Sequence, residues 1–294
     1  MTKPVIGFIG VGLMGSAIVG HLQRQGFQLN VMANRSRAPI DKAVANGAIE
    51  YHSPKEVAEH SDIIMLCMDT SANVEARMRG DDGIIAGLRK GAVIVDFGTS
   101  LPASTRALAN EVAAAGGAML DSPLGRTPAH AEDGLLNLMV GGDKAAFDAI
   151  EDVLKVIGEN VFYLGASGAG HTVKLLNNFL GMTTANVVAE IYASADLAGV
   201  SRKAVYDVIS SGPLHSPMMD FVSAYALDGD DSKLAFAIKN GAKDIGYYGQ
   251  MLKDAGVESA IVGAPAAAMN EAVAAGLGDE LIPKMMDHFL AKMK

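Results

Sequence analysis

From Val5 to about Leu164, short apolar runs alternate with longer stretches whose apolar residues recur every three or four positions. The runs VIGFI, QLNVMA, AIEYH, DIIMLCM, AVIVDF, AMLDS, LNLMV and VFYL predict strands, and the stretches between them predict helices. Strands that alternate with helices form βαβ units, so the expected fold class is α/β with a mostly parallel, doubly wound sheet. DIIMLCM and AVIVDF are nearly continuous in apolar residues, the pattern of central strands covered by helices on both faces. Ser53-Pro54 and Leu101-Pro102 punctuate the connections and place proline where a helix's first turn tolerates it.

After Gly170 the strand-like runs end, and VKLLNNFLGMTTANVVAEIYASADLAG continues with helical periodicity to a stop at Gly199. The remainder has the same character, so an all-helical domain is expected after the sheet. Its first helix spans about 30 residues, about 45 Å at the usual rise per residue, long enough to link two domains. The glycine-rich stretch GASGAG, residues 165–170, marks the boundary and gives expected domains 1–164 and 165–294. No internal repeat or low-complexity tract interrupts either.

Composition narrows the function classes. Of the 294 residues 50% are hydrophobic and 19% charged, enough to bury one large core or two moderate ones. The opening MTKPVIGFIG is too short for a membrane span and lacks the apolar core and cleavage site of a signal peptide, so a soluble, cytoplasmic protein is expected. Cys67 is the single cysteine, which excludes an internal disulfide and a thiolate cluster for a metal; a buried, inert thiol is expected. A formal net charge of −9, without a visible Lys/Arg cluster, argues against nucleic-acid or membrane-surface partners. Any anion must therefore be held by a local group.

Gly10-Val11-Gly12-Leu13-Met14-Gly15 follows the first expected strand and opens the helix SAIVGHLQRQG, so this GxGxxG stands where a phosphate-binding turn must stand. Gly10 permits the tight turn, Gly12 admits a pyrophosphate to the backbone amides, and Gly15 lets helix and strand pack closely, while the helix N-terminus supplies positive potential. The second strand ends Ala33-Asn34-Arg35-Ser36, without the Asp or Glu that binds the 2′-hydroxyl of NAD. Arg35 offers a guanidinium, Ser36 a hydroxyl and Asn34 an amide, a set suited to a 2′-phosphate, so NADP(H) is the expected cofactor. The competing reading is that Arg35 is an ordinary solvated loop arginine.

In GAGHTVKLLNN, residues 168–178, Lys174 and Asn178 are one turn apart and share a helix face, with Gly181 expected to leave open space above it. The chain resembles the β-hydroxyacid dehydrogenases, the family of 3-hydroxyisobutyrate dehydrogenase, tartronate semialdehyde reductase and sulfolactaldehyde reductase. The resemblance covers nearly the full length, through GFIGVGLMG, DFGTS at 96–100, DSPLGRT at 121–127, the Lys174 segment and FAIKNGAKD at 236–244. It implies a Rossmann-like domain followed by a helical domain that often pairs between subunits, hence a homodimer or homotetramer. It also implies that Lys174 is the catalytic residue and that Asn178 helps hold the substrate. Cofactor contacts are implied for Gly10, Gly12, Leu13, Met14 and Met68, with Thr99 and Lys243 flanking the nicotinamide and the substrate pocket.

The implied chemistry is physically coherent. Hydride addition to a carbonyl builds negative charge on oxygen, which an ammonium at Lys174 can stabilise and protonate. In the oxidative direction the neutral amine accepts the hydroxyl proton, with Lys243 a candidate cationic neighbour. Two departures from the family pattern stand out. Where many members carry a serine and two glycines that hold a substrate carboxylate, this chain has Gly125-Arg126-Thr127, with Gly125 leaving room and Arg126 offering a guanidinium for a bulkier or more acidic oxyanion. That segment is similar to the one in sulfolactaldehyde reductase, so the expected substrate is a short anionic aldehyde such as 3-sulfolactaldehyde, with succinic and tartronate semialdehydes as competitors. Alternatively Arg126 pairs with Glu132 or Asp133 within its loop. Gly98 also replaces a usual serine, and Asp69 a usual proline. Imine reductases share this architecture but typically lack the lysine, and a non-catalytic dinucleotide-binding module would have lost Lys174 and Asn178.

Overall fold

The computed structural model describes residues 3–34 and 36–294, and the chain divides into two compact units, 1–174 and 175–294. Among its described residues the first holds a nine-stranded sheet. Its parallel part is β1 (Ile6–Ile9), β2 (Leu29–Met32), β3 (Ile49–Tyr51), β4 (Ile63–Leu66), β5 (Val93–Asp96) and β6 (Ala118–Asp121), in the order β3-β2-β1-β4-β5-β6. Every residue of β1, β2, β4 and β5 is buried, because helices cover both faces. These are α1 (Leu13–Arg24), α2 (Ala38–Ala45), α3 (Pro54–Glu59), α4 (Ser71–Met78) and α5 (Pro102–Ala114). Ser53 caps α3 by accepting from the Glu56 amide at 3.1 Å, and the prolines at 54 and 102 occupy first turns as the pattern required.

Beyond β6 the mostly parallel sheet takes in antiparallel pairings. A two-residue strand, β7 (Leu124–Gly125), and α6 (Pro128–Glu132) lead into β8 (Leu136–Gly142), which runs antiparallel to both β6 and β7. The connection passes through β7, which already pairs with β8 in the antiparallel sense, so β8 returns against the direction of β6. After α7 (Lys144–Ile157), β9 (Gly158–Gly165) runs parallel to β8. β7 was not among the expected strands, since two residues carry no periodicity. The sheet winds outward in opposite directions from the β1–β4 pair, and the turns after these two strands meet at that switch point.

The long helix α8 (Ala169–Leu197) has 29 residues, and Gly199, at φ 71°, ends its run. The expected boundary at Gly165 coincides with the end of β9, whereas the division between compact units falls inside α8 after Lys174. The second unit is entirely helical: the rest of α8 packs Met182, Ala185, Ala189 and Tyr192 against α10 (Pro217–Asp228), α11 (Ile238–Asp254) and α12 (Gly263–Ala272). It also holds α9 (Arg202–Ser210), α13 (Met285–Met293) and short helical turns at Ser232–Leu234, Val273–Leu277 and Ile282–Lys284. No helix among the described residues is long and apolar enough to cross a membrane.

Candidate functional site

The glycines of the turn after β1 have separate duties. Gly10 has φ 99°, and a Cβ there would lie 2.3 Å from the Cys67 carbonyl oxygen; a Cβ on Gly15 would lie 2.2 Å from the Gly10 oxygen. Both are glycine because the backbones of β1, α1 and β4 meet there. At Gly12, by contrast, a Cβ meets nothing within 4 Å. Packing does not require that glycine, and the open space leaves the amides at the start of α1 accessible to an anion. Leu13 is 79% exposed beside it, while Met14 packs on the sheet core.

A cavity of about 290 Å³ opens next to this turn, lined by Gly10, Gly12, Asn34, Ser36, Met68 and Arg77 among others. Asn34, Ser36 and Met68 thus gather where the sequence placed the cofactor; Arg35 lies outside the described residues. Arg77 was not anticipated, and its Nη2 donates to Asn34 Oδ1 at 3.1 Å. Cys67 also lines the cavity and is only partly buried, yet desolvation pushes its thiol up to about 12, so it stays protonated at neutral pH. The two cofactor-loop departures are neighbours. A Cβ on Gly98 would come within 2.8 Å of the Met68 carbonyl oxygen, and Asp69 accepts from Asn73 Nδ2 at 2.5 Å. Thr99 follows, half-buried.

Lys174 is positioned by a buried polar network at the ends of β5 and β6. Asp121 Oδ1 accepts from the Gly168 amide at 2.8 Å and Oδ2 from the His171 amide at 2.9 Å, so a strand carboxylate caps the N-terminus of α8. Gly170 is forced there, because a Cβ would lie 2.1 Å from the Met139 carbonyl oxygen. His171, fully buried, shares a 2.7 Å hydrogen bond with Thr105 Oγ1 and sits 3.7 Å from Asp96 Oδ2. Burial raises the Asp96 carboxyl above its ordinary range, opposed by His171 and by the Gly98 amide, which donates to it at 2.8 Å. One turn past His171, Lys174 Nζ donates to the Leu124 carbonyl at 2.8 Å, at the entrance to the loop of Gly125, Arg126 and Thr127.

In that loop Arg126 has φ 77°, the only non-glycine residue in the left-handed region among those described. The backbone keeps the shape that a glycine adopts freely, at a cost of about 1–2 kcal/mol. Its guanidinium Nη1 donates to the Leu135 carbonyl at 2.7 Å and pairs with Glu159, not with Glu132 or Asp133. Glu159 is the extra residue of a bulge where β8 and β9 shift register between Leu136 and Asn137, and a bulge re-aims its side chain. The space expected beside Gly125 is closed on one side, since a Cβ there would come 3.1 Å from Asn137 Cβ. Thr127 Oγ1 shares a 2.7 Å hydrogen bond with His130.

The helical unit has its own polar cluster. Asn178, 8% exposed, donates from Nδ2 to Asp244 Oδ2 at 2.6 Å, and Lys243 Nζ lies 2.7 Å from Asp244 Oδ1 and 4.9 Å from the Tyr247 ring. Asp244 therefore fixes both residues singled out in the sequence. Its only signal was a carboxylate directly after Lys243. Gly181 is not open, for a Cβ would meet Met218 Cε at 3.2 Å. No cluster of three or more His, Cys, Asp or Glu able to hold a metal occurs among the described residues.

Residues 5–165 match the family model described as the NAD binding domain of 6-phosphogluconate dehydrogenase, and residues 168–287 the model described as NAD-binding of NADP-dependent 3-hydroxyisobutyrate dehydrogenase. The 2-hydroxy-3-oxopropionate reductase of Escherichia coli (strain K12) is 31% identical over 216 residues, 73% of this chain and 73% of that protein. The 2-(hydroxymethyl)glutarate dehydrogenase of Eubacterium barkeri is 31% identical over 247 residues, 80% of this chain and 82% of that protein. A solved structure of Mycobacterium tuberculosis 3-hydroxyisobutyrate dehydrogenase with L-serine shares the fold, with a TM-score of 0.84 at 20% identity, covering 98% of this chain and 99% of that one.

Proposed function

The chain belongs to the β-hydroxyacid dehydrogenase family of NAD(P)-binding oxidoreductases, and from that premise we propose that it interconverts a short anionic aldehyde and its hydroxyacid with NADP(H), using Lys174 as general acid and base. The observation that carries this reading is Lys174 Nζ held at Leu124, beside the loop of Gly125, Arg126 and Thr127, on a helix whose first turn Asp121 locks in place. The residues of the 290 Å³ cavity and the open Gly12 cradle fit a dinucleotide, which when bound supplies or accepts the hydride. Lys174 gives its proton to the carbonyl oxygen as negative charge grows there, and takes the hydroxyl proton in the reverse direction. Asn178, oriented by Asp244, positions the substrate.

The NADP(H) preference rests on the residues 34–36, which offer no carboxylate to repel a 2′-phosphate. The description of the second family model as NADP-dependent supports it. For the substrate's acidic end we infer Arg126. Nη1 makes both of its contacts among the described residues, so the planar fork keeps Nε and Nη2 for a carboxylate or sulfonate. 3-Sulfolactaldehyde is the specific proposal, ahead of succinic and tartronate semialdehydes.

The test is Lys174→Ala, assayed with NADPH and NADH against these aldehydes and a cyclic imine. Turnover should fall about 10²- to 10⁴-fold while the dissociation constant for NADPH barely moves. Near-normal turnover of the variant, or a wild-type enzyme that reduces only the imine, overturns the reading.

A further inference from the structure

The cofactor cavity contains a cation that neither the GxGxxG turn nor the loop after β2 provides. Arg77 projects from α4, one turn beyond Asn73, and both line the cavity with Asn34 and Ser36. Neighbouring arginines are neutralised: Arg79 pairs with Glu75 and Glu111, and Arg37 with Asp41 and Glu50. Arg77 forms no ion pair among the described residues, and its hydrogen bond there goes to a neutral amide oxygen, Asn34 Oδ1, at 3.1 Å. The carboxylate that shares the cavity, Asp69, is engaged by Asn73. A guanidinium fixed through one nitrogen, in a cavity that Ser36 also lines and without a carboxylate partner among the described residues, has donors to offer a tetrahedral dianion.

We propose that Arg77 binds the adenosine 2′-phosphate of NADP(H) and is a cofactor-specificity residue carried by α4, with Asn34 orienting its guanidinium. The proposal rests on the NADP(H) reading above. It assigns the phosphate contact to a helix on the other side of the sheet's switch point from β2, so discrimination between the cofactors does not depend on Arg35 alone. A guanidinium over the adenine ring is the physical alternative, and it would not distinguish the two cofactors.

Isothermal titration of the full chain with 2′,5′-ADP and with 5′-ADP separates these readings without any turnover. Wild-type protein should bind 2′,5′-ADP more tightly. Arg77→Met, which keeps the aliphatic stem, should weaken 2′,5′-ADP about 10- to 100-fold and change 5′-ADP less than about twofold, from the usual worth of charge-assisted hydrogen bonds. Arg77→Lys should recover part of the loss and, unlike Met, keep the steep salt dependence of 2′,5′-ADP binding. A preference for 2′,5′-ADP that survives Arg77→Met overturns the role of Arg77 while leaving the NADP(H) reading intact, and equal weakening of both ligands assigns Arg77 to adenine and likewise overturns it. Wild-type protein with no preference at all overturns the NADP(H) reading and this proposal together.

Discussion

Gly12 and Gly15 stand three positions apart in one motif, yet their replacement by alanine should fail in different ways. At Gly15 the new Cβ falls 2.2 Å from the Gly10 carbonyl oxygen. Ordinary contact lies near 3.5 Å, so α1 and the turn must separate by about 1 Å. Gly10 cannot yield, because its own surroundings already include the Cys67 carbonyl at 2.3 Å from a Cβ position. Overpacking of that kind costs about 1–3 kcal/mol, which lowers the melting temperature by about 2–10 °C. Gly12 has φ −85°, which alanine adopts without strain, and open space around it. The small loss as a helix cap and the small gain from a stiffer unfolded chain offset each other to within about 0.5 kcal/mol. The methyl group instead occupies the place where a pyrophosphate must approach the amides of α1. Losing one charge-assisted hydrogen bond weakens NADPH binding about 10- to 100-fold. Differential scanning fluorimetry and isothermal titration of both variants check the pair. A Gly12→Ala protein that melts as low as Gly15→Ala, or one that binds NADPH normally, refutes the division of labour.

Arg126→Ala should cost about 2–5 kcal/mol in kcat/KM for anionic aldehydes and much less for neutral ones, and Glu159→Gln, which removes the competing carboxylate, should lower KM for the anions only; equal effects on charged and uncharged substrates would take Arg126 out of the site. The Arg202 guanidinium holds the Asp196 carboxyl below its ordinary range through bonds of 2.9 and 2.5 Å, so the native state binds fewer protons than the unfolded chain. That stability is fully present above the unfolded value of about 3.9 and disappears as pH falls through the lower folded value; Arg202→Met should cost about 1–2 kcal/mol at pH 7 in urea unfolding and flatten the acid limb. Leu176, Leu180, Val187 and Ile191 form an exposed stripe along α8, at 47, 69, 51 and 38% exposure. Light scattering after size exclusion should give at least twice the 30.5 kDa chain mass, and Leu180→Glu should reduce it.

The pattern of apolar positions determined which segments are strands and which are helices, the two-residue β7 excepted, because each longer element buries a face whose spacing is local. It also determined the nucleotide-binding turn, since a strand, three glycines and a helix in sequence leave the backbone few alternatives. The 29-residue α8 was legible for the same reason, as was the pairing of Lys174 and Asn178 on one of its faces. What surrounds those residues was not. Asn34 meets Arg77 across 43 positions, Arg126 meets Glu159 across 33, Gly168 meets Asp121 across 47, and Asn178 meets Asp244 across 66. These contacts exist because β4 lies beside β1, because β8 turns back against β6 and bulges against β9, and because α11 packs on α8. Strand order, register and helix packing are choices the whole chain makes when it buries its surfaces together, so the carboxylates and guanidinium that orient the site became visible only once the tertiary structure had brought them within hydrogen-bonding distance.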